Sequence, residues 1–221
     1  MSAIRAVLFD FGNTLFAHDP LATTIARLSE QLGTHMDVNR ATEIAAAIDA
    51  AAHTSAELLH PRDLDADVWQ ERWALLYGIA DRDVDGLGAA LLADMHDPDR
   101  WLPFTATGAV LTALHADDVR VGVVSNTGWD VRTAFARHGL GELVDSYTLS
   151  YEAGCTKPDP RIFHLACAAL DVEATDTLMV GDDARADSGA IAAGLRVLLL
   201  PPTPPGTDNA LGTVLPLVQS P

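Results

Sequence analysis

Apolar and polar positions alternate along this chain in two rhythms. From Ile4 to Phe9 the residues are almost unbroken apolar, the pattern of a strand buried on both faces of a parallel sheet. After Phe16 the period lengthens. Leu21, Ile25, Leu28 and Leu32 recur at steps of three and four, a helix stripe that ends at Gly33. An Ala-rich helix is expected from about Asn39 to Leu59, with Ile44 and Ile48 on one face and His60-Pro61 as its stop. Trp69, Trp73 and Leu76 mark a third helix closed by Gly78, and Leu87, Leu91 and Met95 a fourth. The stretch from Ala17 to Arg100 therefore reads as helix, without a strand signal. The Trp stripe is assigned to core, the commoner fate of aromatic residues at helical spacing, although it could also line a pocket.

Trp101-Leu102-Pro103-Phe104 forms a boundary, and beyond it helices and strands alternate. Thr107–His115 reads as helix and Val119–Val124 as a buried strand. A helix carrying Val131 and Phe135 closes near Gly139. Ser146–Ser150 is a short strand, Pro160–Leu170 a helix and Leu178–Val180 a strand. Ser188–Ala193 is a helix and Val197–Leu200 the last strand. This alternation predicts an α/β fold: a Rossmann-like parallel sheet with helices on both faces. Its core would span residues 1–16 and 101–221, and residues 17–100 would be an inserted all-helical cap. Pro201-Pro202-Thr203-Pro204-Pro205-Gly206 reads as a stiff connector, after which Leu211–Val218 packs back as a short element.

Composition narrows the partners. The 221 residues are 48% hydrophobic, as in a globular protein. Thirty-one acidic residues against 14 Lys and Arg leave a net charge of −17. A field of that sign repels nucleic acid and anionic membranes, so neither is expected as a partner. A small anionic substrate would need a local cation, either a metal ion or a focused Lys or Arg. The oligomeric state is not legible. Cys155 and Cys167 are the only cysteines, and two free thiols suit a reducing compartment. Arg5 and a short apolar run ending at Asp10 do not make a signal peptide, and no apolar stretch reaches membrane-spanning length, so a cytoplasmic protein is expected.

Polar chemistry collects where strands end. Asp10 follows the first strand, with Gly12, Asn13 and Thr14 after it. Ser125-Asn126-Thr127 follows the second, and Thr156-Lys157-Pro158-Asp159-Pro160 lies in the loop after Ser150. Gly181-Asp182-Asp183 follows Leu178–Val180, with Asp187 five residues past Asp182. Each has a simpler reading: Asp10 as a turn starter, Ser125 as a helix cap, Lys157 as a solvated cation, Asp182-Asp183 as a turn. Together they put a hydroxyl, a lysine and paired carboxylates at the carboxyl edge of a parallel sheet, where such sheets bind ligands.

In this order the motifs resemble the haloacid dehalogenase-like hydrolase superfamily, in the subgroup with a helical cap inserted after the first strand. The family's Asp-x-Asp-x-Thr is matched by Asp10-Phe11-Gly12-Asn13-Thr14, its Ser/Thr by Ser125, its Lys by Lys157-Pro158, and its Gly-Asp-x-x-x-x-Asp by Gly181-Asp182 through Asp187. The resemblance implies a phosphatase-type hydrolase of a small phosphorylated metabolite. Asp10 would be the nucleophile, forming an aspartyl-phosphate. Asp10, Asp182 and the backbone carbonyl of Gly12 would hold Mg²⁺. Ser125, Asn126 and Lys157 would bind the phosphoryl oxygens. Asp183 and Asp187 would position Lys157 or metal-bound waters, and Thr14 would steady the turn after the nucleophile.

Gly12 departs from the pattern. Family phosphatases carry there a second Asp that protonates the leaving alkoxide and then activates water. Its loss is worth about 10²–10⁴-fold in rate. A slower phosphatase, a good leaving group or a replacement acid would each accommodate glycine; His18 and Asp19 lie nearby, with a surface turn as their simpler reading. Dehalogenases of the superfamily also lack that Asp and need no metal. The carboxylates at Asp182 and Asp183 favour metal-dependent phosphoryl transfer over dehalogenation, since unscreened they would raise each other's pKa. A binding protein on a retired hydrolase fold is the third reading. Specificity is expected from the cap, whose cations include Arg27, Arg40, Arg62, Arg72 and Arg82 with His53 and His60. Trp129 could flank the mouth of the site or lie in the core.

Overall fold

The computed structural model describes residues 3–219. Residues 1, 2, 220 and 221, the ends of the expected core span, lie outside the described residues. The apolar run condenses into β1 (Ala6–Phe9), all four residues buried. The chain then forms β2 (Phe16–Ala17) and enters a helical segment: α1 (Leu21–Gln31), α2 (Val38–Ala52), α3 (Ser55–Leu58), α4 (Ala66–Tyr77) and α5 (Leu87–Met95). β3 (Leu102–Pro103) pairs antiparallel with β2 where the chain returns. Then come α6 (Thr107–Ala116), β4 (Arg120–Ser125), α7 (Arg132–Arg137) and β5 (Ser146–Leu149). These lead to α8 (Ser150–Ala153), α9 (Pro160–Leu170), β6 (Thr177–Gly181), β7 (Arg196–Leu199) and α10 (Val214–Val218).

Among the described residues the main sheet has five parallel strands in the order β5-β4-β1-β6-β7. β1 is central, which is why it is apolar on both sides. Its two-residue period divides the core. Val7 and Phe9 pack with Val110, Leu111, Phe135 and Val214 from α6, α7 and α10. Ala6 and Leu8 pack with Ile162, Phe163 and Leu170 from α9 on the other face. Burying a side chain such as Leu8 or Phe9 contributes about 1.5–3 kcal/mol.

The helical segment has a hydrophobic cluster of its own, with Ile25 and Leu28 from α1, Ile44 and Ile48 from α2, and Leu87 and Leu91 from α5. Two of its helices start on aspartates. Asp37 accepts from the N–H groups of Asn39 and Arg40 at the head of α2, and Asp65 from those of Asp67 and Val68 at the head of α4. The expected helix from Asn39 to Leu59 is two helices. Thr54 interrupts it because its hydroxyl accepts from the Glu57 N–H and caps α3. Gly78 does not close α4 in a left-handed turn. The chain continues as a 3₁₀ turn over Gly78–Arg82, and Gly78 has another use. A Cβ on Gly88 would lie 2.9 Å from the Gly78 backbone, so the two glycines let α5 pack closely.

The helical segment sits tightly on the sheet layer. A Cβ on Gly128, three residues past β4, would fall 2.2 Å from the Trp69 side chain. The Ser150 hydroxyl at the head of α8 donates to the Asp63 carbonyl. β2, β3 and α8 gave no periodic signal, since two- and four-residue elements are too short to show one. The helix expected over Ser188–Ala193 is a 3₁₀ turn, Asp187–Ile191.

Candidate active site

The Asp10 N–H donates to the Val180 carbonyl at 2.9 Å, extending the β1–β6 pairing by one residue. This places its carboxylate at the carboxyl edge of the sheet. β4 and β6 flank β1, so Ser125 and Gly181-Asp182 end the neighbouring strands. The backbone after Asp10 folds back on itself: the Leu15 and Phe16 N–H groups both donate to the Phe11 carbonyl at 3.0 Å. Asn13 takes a left-handed φ of 57°, which asparagine tolerates.

Lys157 enters from the loop before α9. The Asn126 side chain clamps its backbone, Nδ2 donating to the Lys157 carbonyl at 2.9 Å and Oδ1 accepting from the Lys157 N–H at 2.8 Å. Asn126, expected above to meet a phosphate, thus has both ends of its amide engaged with Lys157. The ammonium lies between Asp10 Oδ1 at 2.7 Å and Asp187 Oδ1 at 2.6 Å, with the lysine side chain 2% exposed. Asp187 is fully buried, and its second oxygen accepts from the Asp183 N–H at 3.0 Å. A Cβ on Gly181 would lie 2.0 Å from Asp187 Oδ2, so the glycine before Asp182 makes room for this carboxylate. Thr14 donates to Asp182 Oδ1 at 3.3 Å, while its own carbonyl accepts from Asn209. The Asp183 carboxylate accepts from the N–H groups of Arg185 and Ala186, the turn-starting role.

One ammonium therefore bridges two of three clustered carboxylates. Oxygens of Asp10, Asp182 and Asp187 lie within 4.8 Å of one another and could hold a metal ion. Burial pushes the Asp10 carboxyl up to about 6 against the pull of Lys157, with Asp187 and Asp182 adding to the rise. Burial, then Asp187, also raises Asp182. Burial alone would lower the Lys157 ammonium, but Asp10 and Asp187 hold it above its ordinary value. This charge balance fits a hard divalent cation, which takes carboxylate and carbonyl oxygens. Asp187 is the least free ligand, both oxygens being engaged.

A cavity of about 370 Å³ lies over this cluster, with Asp10, Ser125, Lys157 and Asp182 on one side. Trp69 and Trp73 line it from α4, and Trp101 and Trp129 from the sheet layer. Of the five arginines considered above, only Arg62 lines it. Arg27 pairs with Asp94, Arg40 with Asp83 and Glu43, and Arg72 with Glu57. His18 is not at a surface turn. Its Nε2 lies 3.3 Å from the buried Asp94, its Nδ1 faces the Asp19 carbonyl, and neither His18 nor Asp19 lines the cavity. Asp63, which does line it, carried no signal beyond one more acidic residue in an acidic chain. Asn209 was equally silent, since its contact with the motif spans 195 positions.

The family model of haloacid dehalogenase-like hydrolases matches residues 4–194, and the chain belongs to that family of hydrolases. Among curated relatives it is 28% identical over 213 residues to a ribulose-1,5-bisphosphate 5-phosphatase of Halopiger xanaduensis, covering 90% of this chain and 85% of the relative. It is 39% identical over 61 residues to a phosphoserine phosphatase of Thermus thermophilus, covering 27% of this chain and 24% of that one. Two solved structures show the same fold. One is the HAD-hydrolase YfnB of Bacillus subtilis bound to magnesium, with a TM-score of 0.74 and 18% identity over 99% of this chain and 100% of that one. The other is a dehalogenase, with a TM-score of 0.73 and 20% identity over the whole of both chains. Among the described residues no helix is long and apolar enough to cross a membrane.

Proposed function

We propose that the chain is an Mg²⁺-dependent phosphoric monoester hydrolase acting on a small phosphorylated compound through an aspartyl-phosphate on Asp10. The observation that carries this reading is the excess of carboxylates: one buried lysine bridges Asp10 and Asp187, and Asp182 is clustered with them. Two further carboxylates are no help to a nucleophile that works without a cation. Asp10, Asp182 and the Gly12 carbonyl would hold the ion, which when bound offsets the repulsion between phosphate and nucleophile.

The residues divide the remaining work. Asp10 attacks phosphorus from the strand end, and Asp187 holds the Lys157 ammonium beside the attacking carboxylate. Lys157 and the Ser125 hydroxyl bind the phosphoryl oxygens, the charge-assisted contacts that strengthen as negative charge shifts onto them. Thr14 holds Asp182. The helices of residues 17–100 act as a cap that encloses the substrate and excludes water from the intermediate. The phosphatase names among the relatives support the same reading. Dehalogenation shares the nucleophile and tolerates Gly12, but gives the acidic cluster no task.

The test is phosphate release from a panel of small esters with Mg²⁺, beside halide release from 2-haloacids. Phosphate release that stops with a chelator and in Asp10→Asn supports the proposal. Halide release without metal replaces it with the dehalogenase reading.

A further inference from the structure

All four tryptophans of the chain, Trp69, Trp73, Trp101 and Trp129, line the one cavity over Asp10. They come from distant parts of the sequence and reach it from both the helical segment and the sheet layer. Phe11, beside the nucleophile, joins them, its ring 4.8 Å from Trp101 and 5.8 Å from Trp129 between centroids. Trp101 and Trp129 lie 5.7 Å apart, Trp69 and Trp73 6.0 Å. The Arg62 guanidinium lies over Trp73 at 4.9 Å. Arg62 is also held by carboxylates, its Nη1 3.7 Å from Glu57 Oε1 and its Nε 3.8 Å from Asp63 Oδ1, while Trp73 Nε1 is a buried donor without a hydrogen-bond partner, a costly state that an acceptor on a bound ligand would relieve. A sugar phosphate, polar on every side, would lose part of its hydration against the tryptophan faces. A flat ring would stack.

The second observation is Gly12, which also lines the cavity and brings no proton donor to the leaving oxygen. Ring and missing acid point to one substrate chemistry. Resting on the phosphatase reading above, we infer that the substrate is a phosphate ester of an aromatic hydroxyl, its ring held among the tryptophans. Asp10 forms a bond to phosphorus as the P–O bond to the ring oxygen breaks. The electron pair leaves with that oxygen as an aryl oxide, which the ring stabilises, so no proton is needed. Water then attacks phosphorus, the bond to Asp10 breaks with its electron pair returning to the carboxylate, and the water's protons leave on the phosphate.

The test separates binding from turnover, using the full chain with Mg²⁺. Binding of phenylphosphonate and cyclohexylphosphonate, which cannot be hydrolysed at the P–C bond, is measured by calorimetry and tryptophan fluorescence. The flat ring is expected to bind about 10-fold tighter, as one stacked aromatic pair supplies. That preference should fall in Trp73→Leu, checked by circular dichroism to be folded. Equal binding of the two, or binding of neither, overturns the inference. In turnover, kcat/KM should rise with leaving-group acidity across substituted phenyl phosphates and be at least ~10²-fold lower for cyclohexyl phosphate. Cyclohexyl phosphate within 10-fold of phenyl phosphate overturns it. Failure to hydrolyse any ester, or acetyl phosphate, instead refutes the phosphatase reading, while the binding comparison still decides the ring.

Discussion

Replacing Gly12 with aspartate should convert this site into a faster one for alkyl phosphates. The structure leaves room for the change. A Cβ at Gly12 would meet only Trp101 Cζ3, at 3.8 Å, an ordinary contact, and the backbone there is not in the left-handed region. The substitution is therefore unstrained, and fixing the glycine's freedom in the unfolded chain favours it slightly. The new carboxyl would stand two residues from Asp10 and near Asp182, both of which disfavour its ionisation and so keep a proton available for the leaving alkoxide. A positioned acid/base contributes about 10²–10⁴-fold, or roughly 3–5 kcal/mol of barrier at 1.36 kcal/mol per tenfold. The assay is kcat/KM for an alkyl phosphate with Mg²⁺, Gly12→Asp against the unaltered chain. The gain should shrink for p-nitrophenyl phosphate, whose leaving group needs no proton. A folded Gly12→Asp protein that binds Mg²⁺ yet gains nothing on the alkyl ester would show that proton transfer is not what this site lacks.

Other expectations concern charge. Lys157→Met leaves Asp10 and Asp187 without the ammonium between them; removing one partner of a buried pair costs about 3–5 kcal/mol, which in a chain of this size lowers Tm by roughly 10 °C in a thermal melt. Mg²⁺ should raise Tm above pH 6 and progressively less as the pH falls toward 5. Asp10 is pushed up to about 6, and its protonated form cannot ligate. Above that raised value the carboxylate is ionised and metal stabilisation is full; below it protons displace the metal. A chelator should abolish the shift at every pH.

Much of the sheet was legible because its physics is local. β1, β4 and β6 are apolar runs that end in a polar residue, and Pro160 behind Asp159 announces α9 to the residue. The helix–strand alternation after Phe104 predicted helices on both faces of the sheet, but which residues of β1 face which side was not legible, since all four are apolar. Other features depend on partners far away in the chain. Thr54 splits a helix because its hydroxyl competes for a backbone N–H, a choice composition does not reveal. Gly78 reads as a helix stop until Gly88 is seen against it. Asn126 reads as a phosphate ligand until the Lys157 backbone fills its amide. Trp69 and Trp73 follow the helical spacing of core residues. Trp69 is indeed buried, but both also line the cavity, because that wall of the core faces the strand ends. Arg62 could not be singled out from its neighbours in sequence, since only the fold shows which of the arginines reaches the cavity wall.

In the proposed mechanism Asp10 carries the phosphoryl group. With water attack slowed by the absence of a base at Gly12, the phosphoenzyme should accumulate during turnover. Rapid acid quench of the Mg²⁺-loaded enzyme with p-nitrophenyl phosphate, followed by peptide mass spectrometry, reads it directly. The expected result is one phosphoryl group on the peptide containing Asp10, absent in Asp10→Asn and discharged on standing in neutral buffer. Sustained phosphate release with Asp10 unmodified at every quench time, or undiminished in Asp10→Asn, would contradict the account.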